Sequence, residues 1–158
     1  MNKKFEIILI FSFVFILNGC GYNKLNNTKN NTIHISEITL LGEQRIGYII
    51  KNELLLSSSP NGENNLKLKL DIDKQKFIKE KSIRDKVTRY KNTITVELLI
   101  IEVSTNKEIK KKFTKDTNYE AYDSKSRTMS SERRSIENTA ELLSDNIKDF
   151  INLNYKTK

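Results

Sequence analysis

The chain carries its chemistry in one thiol, two runs of cations and a pair of nearby tyrosines. The thiol is Cys20, the only cysteine. It follows Lys3, Lys4, an apolar run from Ile7 to Leu17, and Asn18-Gly19. A lone cysteine has no intrachain disulfide partner, and a free thiol is a liability in an oxidising compartment. The first cationic run is Lys74, Lys76, Lys79, Lys81, Arg84, Lys86 and Arg89. The second is Lys110-Lys111-Lys112. Ammonium and guanidinium groups form charge-assisted hydrogen bonds with phosphate. Such runs offer anion contact; equally, they keep a strand end solvated, and edge strands use lysine to block unwanted pairing. Tyr119 and Tyr122 each join an apolar ring to a polar tip, which suits an interface or the packing of a connector on a sheet.

Several kinds of chemistry find no support. His34 is the only histidine, so a metal site would lack convergent nitrogen and sulfur ligands. There is no Gly-x-Ser-x-Gly elbow, and the five glycines form no phosphate-binding loop. Asp71 and Asp73 fall on the solvated side of a strand pattern, with nothing to shift their pKa. No enzyme, metal or dissociable cofactor is expected.

Two lysines, then a short apolar run, then a small residue have the shape of a secretory signal. Ile7 to Leu17 falls short of the ~20 apolar residues a spanning helix needs. Leu17-Asn18-Gly19-Cys20 resembles a lipobox, although lipoboxes usually carry Ala or Ser where Asn18 stands. The resemblance implies cleavage before Cys20 and a mature chain of residues 20–158, with a diacylglycerol and an N-acyl chain (palmitate-type lipid) on Cys20. Two or more acyl chains anchor stably where one does not. Gly21, in place of the Asp that retains lipoproteins at the inner membrane, favours the outer membrane.

The signal would remove Lys3, Lys4 and Glu6 from 28 basic and 20 acidic residues, leaving a net charge of about +7. That excess favours an anionic partner: phosphate-bearing lipid or an acidic protein face. Nucleic acid is not expected of an exported lipoprotein. The remaining length fits one domain. The expected division is a signal at 1–19, a lipidated tether at 20–31 and a single domain at 32–158.

The elements that must position these residues follow from periodicity. Thr32 to Leu41 alternates as a strand, with a bulge near Ser36-Glu37 where the alternation shifts. Gly42 ends it. Ile46, Ile49, Ile50 and Leu54 have helical spacing over Glu43–Leu56. Leu66, Leu68, Leu70 and Ile72 alternate with charged residues as a half-buried strand. Lys74 to Arg89 reads as its solvated continuation plus a loop. Tyr90 to Val103 is a β-branched central strand, Ser104 to Lys107 a hairpin turn, and Glu108 to Asp116 the return strand. Tyr119 to Arg127 reads as a polar connector. A helix is predicted from Ser130, with a serine N-cap, to about Leu153, its stripe formed by Ile136, Ala140, Leu143, Ile147, Phe150 and Ile151. The predicted fold is α+β: a two-layer sandwich with a mostly antiparallel four-stranded sheet and two helices on one face, in the order β-α-β-β-β-α.

These features together resemble the LptE family of lipopolysaccharide-assembly lipoproteins. The resemblance rests on Gly19-Cys20-Gly21-Tyr22, on Arg45 and Leu54-Leu55, on Thr88-Arg89-Tyr90 before the long strand, and on Tyr119 and Tyr122 before a terminal helix carrying Ala140, Leu143 and Ile147. The asparagine-rich tether and the high lysine content depart from a typical member. The resemblance implies a lipid-anchored protein at the periplasmic side of the outer membrane or within a barrel lumen. Its partners would be an LptD-like β-barrel and lipopolysaccharide. It points to Arg84, Lys86 and Arg89 as contacts to lipid or barrel, because they fall where family members place the loop before the long strand. Two other readings stay open on the residues alone: an accessory or pilot lipoprotein of another outer-membrane assembly, and a solitary periplasmic lipid carrier with an apolar pocket.

Overall fold

The computed structural model describes residues 33–155; Cys20, the signal and the tether lie outside the described residues. Strand β1 (Ile33–Gly42) is followed by helix α1 (Gln44–Leu56). Three strands come next: β2 (Asn64–Lys81), β3 (Val87–Glu102) and β4 (Glu108–Glu120). Helix α2 (Lys125–Tyr155) closes the chain. The sheet order is β1-β2-β3-β4. β1 and β2 are parallel, joined by α1 as the crossover such a pair requires, and the other two pairings are antiparallel. The architecture is the predicted α+β one.

Alternation decides which face is buried. Leu66, Leu68, Leu70 and Ile72 of β2 and Ile94, Val96, Leu98 and Ile100 of β3 point to one side. Both helices cover that side, through Ile46, Ile50 and Leu54 of α1 and Ile136, Ala140, Leu143, Ile147 and Ile151 of α2. In β1 the register shifts between Ile35 and Glu37, so Ile33, Ile35 and Ile38 all reach the core despite their odd spacing. Ser36 Oγ, at the shift, donates to the Leu66 carbonyl at 3.2 Å. Buried Thr139 and Ser144 donate their hydroxyls to the carbonyls four residues back, at 2.8 Å each, which lets polar residues sit in the seam of α2.

Three boundaries differ from the sequence expectation. β2 continues to Lys81 and β3 starts at Val87, so the loop shrinks to Ser82–Lys86 and Arg89 belongs to a strand. Charged residues hide this pairing because neither face of that stretch is apolar, yet the backbone ladder continues to Lys81↔Val87. β4 runs on to Glu120 and takes in Tyr119, which pairs with Tyr90. α2 begins at Lys125, so Ser130 and Ser131 lie inside the helix and neither is its N-cap. Its first turns carry no apolar stripe to betray them. They are held by polar contacts: Thr128 Oγ1 accepts from the Tyr122 amide at 2.8 Å, and Ser135 Oγ lies 2.6 Å from Thr117 Oγ1.

A third buried polar side chain has no such partner. Asn92 is fully buried, and neither amide atom has a hydrogen-bond partner among the described residues. It stands beside Lys76 and Thr117 in the sheet register, where the apolar core gives way to polar side chains. A buried amide without partners costs ~1–3 kcal/mol. Asn92→Val is therefore expected to raise stability by about 1 kcal/mol. A urea titration would show a higher midpoint at an unchanged slope. A lower midpoint would mean that Asn92 is satisfied in solution.

Candidate functional site

The far end of the β2–β3 hairpin gathers most of the first cationic run. It divides into paired and unpaired cations. Lys76 turns inward: its Nζ lies 3.2 Å from Glu132 Oε2, 4.4 Å from the centre of the Tyr90 ring and 5.2 Å from that of Tyr119. The two tyrosine rings stack at 5.3 Å and 24°. Burial opposes the charge on Lys76, but the Tyr119 hydroxyl and the Glu132 carboxylate outweigh it, and the pKa is raised. Burial likewise pushes the Tyr119 phenol up. This cluster pins the hairpin to α2.

Beyond it, Arg89 Nη1 donates to Glu80 Oε1 at 2.9 Å, and Lys81 Nζ reaches Asp85 Oδ1 at 2.8 Å. Lys86 pairs with Asp123, holding that carboxyl below the usual carboxylate range and tying the loop to the β4–α2 connector. The loop closes with the Ser82 amide on the Lys86 carbonyl at 2.7 Å and with Asp85 at φ 60°. Arg84, Lys74 and Lys79 make no ion pair with a described residue. Of the three cations singled out in the sequence, Arg84 is thus open at the tip, while exposed Lys86 and half-buried Arg89 are paired.

Tyr119 is buried, 4% exposed, as part of the cluster under α2. Tyr122 sits in the connector: its hydroxyl donates to Glu120 Oε2 at 3.0 Å, and Arg127 stacks on its ring at 4.4 Å. Sequence periodicity alone does not mark Ile83, which is fully exposed at the loop tip, or Phe77 and Ile78, which are about half exposed further back along β2. Ile83 between Ser82 and Arg84 was the available signal: an isoleucine inside a charged turn has no core to reach. The same end therefore presents both cations and apolar side chains.

The second run divides as strand alternation requires. Lys110 and Lys112 lie on the open face of the sheet, with Lys112 Nζ 2.9 Å from Glu97. Lys111 points to the helix side, 5.8 Å from the centre of the Phe150 ring. His34 Nδ1 faces the Ser59 carbonyl at 3.1 Å. Among the described residues, no three His, Cys, Asp or Glu side chains gather as metal ligands. Among them, too, no helix is long and apolar enough to cross a membrane.

The chain is thus a four-stranded mixed sheet covered on one face by two helices, with a basic hairpin end. In this fold it is similar to rare lipoprotein B from Shewanella oneidensis: TM-score 0.56, 10% identity, over 73% of this chain and 92% of that one. It is also similar to a lipoprotein candidate from Caulobacter crescentus: TM-score 0.53, 17% identity, over 74% of this chain and 85% of that one. No protein-family model matches the chain, and no curated protein matches it. At these identities the likeness is one of fold.

Proposed function

We propose that the protein is a non-enzymatic outer-membrane lipoprotein that assembles with an LptD-like β-barrel and assists lipopolysaccharide insertion. One observation carries the reading: the described domain has the fold of rare lipoprotein B over almost all of that protein's length, behind a lipobox-like Cys20. The LptE resemblance of the sequence points the same way. The hairpin end supports it chemically. Arg84, with Lys74 and Lys79 nearby in the chain, offers unpaired donors for lipid phosphates, and Ile83 offers an apolar contact for acyl chains. Lys86 and Arg89 join as their exposed carboxylate partners exchange for phosphate, since exposed ion pairs are weak.

The triple variant Arg84→Gln, Lys86→Gln, Arg89→Gln is expected to bind purified lipopolysaccharide about tenfold more weakly near physiological salt, with a shallower salt dependence. Fluorescence titration across salt concentrations measures both quantities. Binding that ignores both the variant and the salt would remove the electrostatic contact from the account.

A further inference from the structure

An open groove of about 720 Å³ runs between β4 and the outward side of α2. Its β4 wall is the unbroken run Lys115–Tyr119. Consecutive residues of a strand point to opposite faces, so a wall containing all of them is the edge of the strand and not a face. β4 is the last strand of the sheet order, and its outer edge pairs with no described strand. The helix wall is one stripe at helical spacing, including Ser126, Ser130, Arg134 and Asn138.

The groove has a definite charge. Lys115, Arg127 and Arg134 line it, all exposed, and none makes an ion pair with a described residue. The only acidic lining residue is Asp116. Its carboxylate is engaged on the open face of the sheet, accepting from Thr93 at 2.7 Å and Lys91 at 3.3 Å. Further along β4, Lys110 to Lys112 guard the edge against unselective pairing. The edge beside the groove thus pairs with no described strand, although the Asn118 carbonyl already accepts from Ser135 Oγ at 3.3 Å, and it is flanked by hydroxyls and by cations without counter-charge.

We infer that this groove receives an extended acidic segment of a partner protein, which adds to β4 as a fifth strand. The backbone groups of Asp116 and the amide of Asn118, which face away from β3, supply the register, and acidic side chains on the helix-facing side meet Arg127 and Arg134. The site is separate from the basic hairpin tip and does not rest on lipopolysaccharide binding.

The test uses the folded protein without its signal and a capped heptapeptide alternating glutamate and valine. Controls are the lysine–valine peptide, the glutamate peptide N-methylated at its three central residues, and inorganic phosphate. The glutamate peptide is expected to bind at least ten times more tightly than either control peptide and to protect the amides of the β4 edge from hydrogen exchange. Arg127→Gln with Arg134→Gln is expected to weaken it about tenfold; both side chains are exposed, so folding is not at stake. Equal binding of the N-methylated peptide would overturn strand addition. Equal binding of the lysine peptide, displacement by phosphate with no change in amide protection, or no binding at millimolar peptide would overturn the proposal as a whole.

Discussion

Replacing Gly42 by alanine is expected to cost about 3 kcal/mol or more of the domain's stability. Gly42 turns the chain from β1 into α1 with φ +76°, in the left-handed region that side chains disfavour. A Cβ there would overlap the Ile72 carbonyl oxygen. That oxygen cannot simply move, because it accepts the Glu43 amide at 3.0 Å and belongs to a strand whose Ile72 side chain is buried. The left-handed conformation alone costs ~1–2 kcal/mol, and forced repacking adds ~1–3. A typical domain has only ~5–15 kcal/mol in total. Gly47→Ala is the matched control. Its Cβ would meet only the flexible ends of Ile72 and Leu40, at 3.3 Å, and alanine favours the helix by up to ~1 kcal/mol. Urea unfolding should separate the two variants widely. If Gly42→Ala unfolds at the same midpoint as the parent, the β1–α1 junction is not built as described.

Cys20→Ser is expected to move nearly all of the protein from the membrane to the soluble fraction. On the proposed lipidation of Cys20, serine offers no thiol for diacylation, and at ~0.8 kcal/mol per buried methylene losing the acyl chains would remove the anchor. Among the described residues no helix is long and apolar enough to span a bilayer. Fractionation after an alkaline wash, together with labelled palmitate, reads the effect. A serine variant that stays in the membrane would show that the anchor lies elsewhere.

The core was legible because its patterns are strong. Leu66 to Ile72 alternate without exception, and Ile136, Ala140, Leu143, Ile147 and Ile151 keep helical spacing, so burial and periodicity agree. Even the bulge at Ser36 showed as a slip in the alternation of isoleucines. Legibility failed where polar contacts replace apolar ones. The β2–β3 ladder beyond Ile72 is held by backbone pairing between mostly polar and charged side chains, and the start of α2 by Thr128, Ser135 and Glu132. No periodic signal marks either. The basic end was legible as charge but not as an arrangement. Which cations are paired depends on Glu80, Asp85, Asp123 and Glu132, acids scattered along the sequence and brought together only by the sheet register and the lie of α2. The groove beside β4 is invisible for the same reason, since in the sequence Arg127 falls in a polar connector and Arg134 near a helix start.

The central claim is the partnership with a lipopolysaccharide-handling barrel. The most direct measurement is to solubilise outer membranes in mild detergent, capture the full-length lipoprotein, and identify what is retained at fixed stoichiometry. The account predicts one large β-barrel in equal amount, with lipopolysaccharide bound to the complex. Retention of a different outer-membrane assembly, or recovery of the lipoprotein alone, would contradict it.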